Sequence, residues 1–182
     1  MGRIEGVGEK LVSCLEDLYI DSEVRHNTPC RVDSAFSELL EGYDEDPYEN
    51  AVVFDTQFRG MVVIECELNS VCAHHVLPFI GFVSIGYVPR DGCILGLSKF
   101  SRIVDVFAHR LQTQEDLNFQ IIECLDKILE PAGIVVLIEA QHSCCSLRGA
   151  RASSTMKTVE LRGCFETDAA SRQEFYSLVS RR

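Results

Sequence analysis

Two adjoining stretches of helical period, Ser98 to Arg110 and Gln114 to Leu129, stand between pairs of strand-like segments with no linker on either side. Ile103, Val104, Phe107 and Leu111 share one face of the first, and Leu117, Ile121, Leu125 and Ile128 one face of the second. Upstream lie the β-rich segments Ala51–Phe54, Met61–Leu68 and Ile80–Val88, separated by Arg59-Gly60 and closed by Pro89-Arg90-Asp91-Gly92. Downstream, Pro131-Ala132-Gly133 stops the helix, Ile134–Glu139 and Thr155–Phe165 read as strands, and Ser171–Val179 reads as a short terminal helix. Strands, then two helices, then strands leave few ways to bury both apolar helix faces. The economical one is an α+β fold: an antiparallel four-stranded sheet with two helices on one face.

Ahead of this unit, Leu11, Val12, Leu15 and Leu18 recur at helical spacing between Glu9 and Leu18. A second helix is expected from about Cys30 to Glu41, capped by Thr28, with Pro29 in its first turn and Gly42 at its end. Tyr43 to Asn50 is acidic and contains a proline, so it reads as a loop. The expected organisation is a helical segment over residues 1–50 and an α+β domain over 51–182, forming one structural unit without repeats.

With 182 residues, 46% of them hydrophobic, the chain can bury a core without disulfides. Its nine cysteines are odd in number and scattered through apolar runs, which suits a reducing, cytoplasmic setting and small buried side chains. No stretch approaches the roughly 20 apolar residues that span a bilayer. The net charge of −11 is concentrated early: residues 1–72 hold 5 Lys/Arg against 16 Asp/Glu, whereas residues 73–182 hold 12 of each. That balance argues against nucleic acid as a partner, because phosphate backbones require a dense basic face. A small polyanion remains compatible with a few converging cations.

The densest chemistry is in Cys72-Ala73-His74-His75 and His142-Ser143-Cys144-Cys145, each following a strand-like segment. A lone Cys-x-x-His arises by chance in a chain with nine cysteines, but two clusters that each combine His with Cys point to zinc. Three protein ligands would leave a fourth position for water, the pattern of a catalytic ion. Spacing leaves open whether Cys144 or Cys145 binds, and which of His74 and His75 does. The histidines left over are suited to proton transfer near neutral pH.

Beyond these clusters the chain resembles GTP cyclohydrolase I over nearly its whole length. The markers are Thr28-Pro29-Cys30-Arg31-Val32, Gly42-Tyr43-Asp44-Glu45-Asp46-Pro47, Ser70-Val71-Cys72-Ala73-His74-His75, Leu77-Pro78-Phe79, Gly96-Leu97-Ser98-Lys99, Arg102-Ile103-Val104, Arg110-Leu111-Gln112-Thr113-Gln114-Glu115, Pro131-Ala132-Gly133, His142-Ser143-Cys144 and Arg148-Gly149. The resemblance implies the tunnelling fold (T-fold), Zn2+ held by Cys72, His75 and Cys144, and hydrolytic opening of the guanine ring of GTP with formate release to give 7,8-dihydroneopterin triphosphate. It implies that Glu115, with Gln114 beside it, recognises guanine, and that Lys99, Arg102 and Arg148 hold the triphosphate. A carboxylate suits the N1–H and amine edge of guanine, and arginine forks suit phosphate oxygens. His142 is implied as the acid for imidazole-ring opening, and His74 and Ser98 as proton carriers in the later rearrangement. The assembly implied is a homo-oligomer, a decamer of two stacked pentamers.

Three positions depart from the pattern. Ala73 stands where the family usually has Glu, Ile64 where relatives carry Lys or Arg, and Phe82 where Lys is frequent. These departures motivate two alternatives: a relative acting on another purine nucleotide, or a catalytically silent ring subunit that binds a nucleotide or pterin.

Overall fold

The computed structural model describes residues 4–15, 21–49 and 51–179. Its centre is a sheet of four long strands: β2 (Val62–Cys72), β3 (Pro78–Val88), β6 (Gly133–His142) and β7 (Thr155–Gly163). They lie side by side in that order, and each neighbouring pair is antiparallel. The expected sheet is present, with one addition: the two-residue strand β5 (Leu111–Gln112) pairs in parallel with Val71 and Cys72 at the outer edge of β2. A separate ribbon joins β1 (Val53–Asp55) to β4 (Cys93–Leu95). Neither β4 nor β5 carries enough residues to show a period.

Strands β2 and β6 run further than their apolar patterns suggest. In β2 the polar pair Asn69-Ser70 reads as a stop, yet buried Ser70 donates its hydroxyl proton to the Ala108 carbonyl at 2.7 Å and continues inward. In β6 Glu139 pairs with Lys157 of β7 and Gln141 stays exposed, so alternation persists to His142. Both extensions end on the residues of the two Cys/His clusters.

Helices α3 (Leu97–Ala108) and α4 (Gln114–Leu129) cover one face of the sheet, as their apolar stripes require. Val104, Leu117, Ile121 and Leu125 meet Leu68, Val83, Ile85 and Ile138 in the main core. Thr113 caps α4 by accepting from the Asp116 N–H at 3.1 Å. Ile64, at 8% exposure, belongs to this core, which accounts for an apolar side chain there.

Beyond β7, the short helix α6 (Cys164–Thr167) leads into α7 (Ala169–Val179), which folds over the opposite face of the sheet. Phe165, Phe175 and Val179 form a second, smaller core with Val135 and Leu137. Phe175 comes so close to β3 that a Cβ at Gly86 would sit 2.6 Å from its ring.

At the N-terminus, α1 (Val7–Ser13) begins two residues before the helix expected over Glu9–Leu18 and stops at Ser13; Cys14 and Leu15 form a turn, and residues 16–18 lie outside those described. The second helix corrects the expectation. Helix α2 spans Ser22–Leu39, is capped by Asp21 rather than Thr28, and contains Pro29 in its interior. The backbone accommodates Pro29 where α1 crosses: a Cβ at Gly8 would lie 2.1 Å from the Pro29 carbonyl oxygen. Asp33 completes the crossing by accepting from the Gly6 and Gly8 N–H groups, both at 2.8 Å. A 3-10 turn at Glu41–Tyr43 then joins the segment to the end of α3. The Gly42 N–H donates to His109 O at 3.1 Å, and Arg110 Nε donates to Gly42 O at 2.9 Å.

Candidate active site

The ends of β2 and β6 bring the two clusters together. After Cys72 the chain turns at once: the Val76 N–H donates to Cys72 O at 2.9 Å, and the Cys72 N–H donates to Leu77 O at 2.9 Å. The turn places Val76 at φ 52°, a left-handed conformation that costs a β-branched residue on the order of 1–3 kcal/mol. Ala73 anchors its near side, donating its N–H to Gln112 O in β5 at 2.8 Å. The strained loop folds the Cys-x-x-His segment back on itself, with Cys72 Sγ 3.7 Å from His75 Nδ1.

Across β3, the four-residue helix α5 (Ser143–Ser146) begins where β6 ends and carries Cys144. Ser143 fastens it by donating its hydroxyl proton to Pro78 O. One ligand atom from each of Cys72, His75 and Cys144 lies within 4.8 Å of the others. Cys72 and Cys144 are 5% and 7% exposed, while His75 faces outward. Burial, with Cys145 and Cys72 adding to it, pushes the Cys144 thiol up. Two converging sulfurs and one imidazole suit zinc, and a cation is what would hold a buried thiol as thiolate. Cys145, exposed, has its sulfur 4.0 Å from that of Cys144 and is outside the trio.

His142 sits at the last position of β6, stacked on Phe79 with ring centroids 4.6 Å apart and an interplanar angle of 8°. Its Nε2 lies 3.0 Å from Gln114 Oε1 in the first turn of α4. Burial lowers the imidazole below its usual range, and the Glu115 carboxylate works in the opposite sense. Glu115 itself is exposed. Gln114 is 1% exposed, and its amide nitrogen faces Ile138 O, Met156 O and Thr158 Oγ1 at 3.1, 3.2 and 3.2 Å. Its polar atoms are therefore engaged by the protein.

The other candidate residues lie nearer the surface. His74 is exposed beside His75, with their rings edge to face at 6.3 Å. Ser98 is exposed in the first turn of α3. Lys99 and Arg102 line a cavity of about 360 Å³ with Glu41, Glu45, Asp46 and His109, and none of the metal trio borders it. Arg148 is exposed in the loop between α5 and β7. One chain thus gathers the metal trio and the pair His142 and Gln114, but leaves Lys99 and Arg102 apart. Sequence reasoning missed Thr158 and Asn118, which steady Gln114 from β7 and α4. Their only signal is that each is polar on an inward-facing position.

The family model described as GTP cyclohydrolase I matches residues 7–180. Among curated relatives, a protein named GTP cyclohydrolase 1 from Campylobacter curvus is 44% identical over 157 residues, covering 84% of this chain and 82% of its own. One of the same name from Chromohalobacter salexigens is 44% identical over 163 residues, covering 87% and 88%. Another from Porphyromonas gingivalis is 43% identical over 159 residues, covering 85% and 81%. Among solved structures, an archaeosine synthase QueF-Like in the apo form superposes with a TM-score of 0.51 at 20% identity, covering 59% of this chain and 97% of that one. That last likeness concerns the fold alone.

Proposed function

This chain belongs to the GTP cyclohydrolase I family, with the α+β tunnelling fold, and from that premise we propose that it opens the guanine imidazole ring of GTP, releases formate and rearranges the remainder to 7,8-dihydroneopterin triphosphate. The observation that carries this reading is the convergence of Cys72, His75 and Cys144 from two strand ends, with His142 two residues before Cys144. Zinc held by the three would supply Lewis acidity and an activated water near neutral pH.

The chain's own groups do the rest in this reading. Glu115 accepts hydrogen bonds from the N1–H and exocyclic amine of guanine. His142, whose burial favours the neutral ring, is free to accept a proton and later return it to the departing ring nitrogen. His74 and Ser98 move protons in the ribose opening and reclosure. Lys99, Arg102 and Arg148 hold the triphosphate.

The active unit is a homo-oligomer, a decamer of two stacked pentamers, working in the cytoplasm. Two observations support assembly: the Lys99 and Arg102 cavity stands apart from the metal trio, and the outer edge of β7 has no strand partner among the described residues. Residues 1–50 form the helical segment of this unit and 51–182 its catalytic domain. No helix among the described residues is long and apolar enough to cross a membrane.

Zinc-loaded protein incubated with GTP should release formate and give a product whose oxidised pterin fluoresces. Absence of both at one zinc per chain would overturn the reading.

A further inference from the structure

We propose that Gln114 is a positioning residue that fixes the His142 imidazole in its Nε2–H tautomer, leaving Nδ1 as the ring's only proton acceptor. The role in turnover rests on the cyclohydrolase reading; the tautomer itself does not.

The orientation of a buried amide is decided by what surrounds it. One end of the Gln114 side chain faces the main-chain oxygens of Ile138 at 3.1 Å and Met156 at 3.2 Å, with Thr158 Oγ1 at 3.2 Å. Carbonyl oxygens accept and never donate, so this end is the NH2 group. Reversing the amide would press an oxygen against two others in a site that is 1% exposed. The opposite end is therefore Oε1, which lies 3.0 Å from His142 Nε2 and has no proton to give. Nε2 must carry the hydrogen, and a neutral ring has only one.

Two further contacts make this arrangement rigid. Phe79 stacks on the ring with planes 8° apart, which opposes a rotation that would bring Cε1 to the place where Nε2 meets the amide. Asn118 Nδ2 donates to the same Thr158 Oγ1 at 3.1 Å, so two side chains of α4 are fastened to β7. Gln114 and His142 thus sit on elements that cannot shift independently.

The consequence is an order of events. His142 takes up a proton at Nδ1 from water, becomes an imidazolium with hydrogen on both nitrogens, and returns that proton from Nδ1 to the leaving nitrogen. The hydrogen stays on Nε2 throughout, donated to Gln114 Oε1 in a bond that strengthens while the ring is charged. Gln114 accordingly acts through His142, whereas its neighbour Glu115 addresses the substrate.

The test is magic-angle-spinning 15N NMR of zinc-loaded protein carrying labelled histidine, at about two pH units above the ordinary imidazole value of ~6.5. The His142 signals are identified by their loss in His142→Asn. Wild type should show a protonated Nε2 and an unprotonated Nδ1, and Gln114→Met should mix the two tautomers. In GTP turnover the same variant should lower kcat about tenfold or more while KM changes by less than about threefold. Thr158→Val removes an acceptor behind the amide but leaves Oε1 in place, so it should retain the wild-type tautomer even if less stable. A proton on Nδ1 in wild type overturns the proposal, as does an unchanged tautomer in Gln114→Met with a raised KM. If wild type does not turn over GTP, the cyclohydrolase reading fails, while the tautomer measurement still decides for or against Gln114.

Discussion

Cys144 and Cys145 are chemically identical and adjacent, yet only Cys144 points to Cys72 and His75. Cys72→Ala, His75→Ala and Cys144→Ala should each abolish stoichiometric zinc by elemental analysis, and Cys145→Ala should retain it. Zinc kept by Cys144→Ala and lost by Cys145→Ala would reverse the assignment. Cys-x-x-His is legible in sequence because one turn of chain unites its members. The choice between neighbouring thiols is not, since it depends on how a four-residue helix meets a strand end on the far side of β3. Ala73 is a second residue with a consequence. Its backbone is held by Gln112 while its side chain is exposed, so a longer side chain there has room. The carboxylates of Glu67 and Glu65 sit six and eight residues back along extended β2, at exposed positions opposite Phe82 and Ser84 of β3 and away from Ala73. Ala73→Glu should therefore restore a group able to orient a catalytic imidazole and raise kcat by about tenfold at unchanged zinc content. Steady-state kinetics with zinc measured in both proteins checks this, and equal or lower turnover would reject it.

Among the elements, β2 and both sheet-covering helices are readable from period because each has one buried side, while β3 and β6, buried on both faces in their middle, are readable as continuous apolar runs. Helix α2 is not. None of its described residues is buried, so no stripe marks its length, and Pro29 reads as a first-turn residue although Asp21 caps the helix eight positions earlier. What holds its partner is also invisible to periodicity: the Asp33 carboxylate gathers the first N–H groups of α1. The N–H groups of Gly8 and Gly6 hold that carboxyl below its ordinary value of 3.8. The folded pKa is the lower one, so the clasp is fully effective above about pH 3.8 and is lost as pH falls through the folded value. Asp33→Asn should loosen α1 at neutral pH, seen as faster proteolysis within residues 4–15 with the midpoint of global unfolding little changed. Equal protection of α1 in both proteins would show that the clasp contributes nothing.

For the molecule as a whole, one sheet serves two cores of unequal size. The larger fills the space under α3 and α4, while the smaller depends on Phe165, Phe175 and Val179 from the last two helices. The metal trio and His142 stand at the strand ends, and Gln114 is anchored on the larger side. A small apolar layer near the chain terminus detaches at lower free energy than a core laced through the middle of the sheet. Opening should therefore run in two stages. Amides of α7 should exchange with deuterium well before those of β3 and β6, and zinc should slow the strand ends without protecting α7. If α7 and β3 exchange together, the two faces unfold as one cooperative unit. With separate stages, the terminal helix can peel from the sheet and reseat while the catalytic face stays intact.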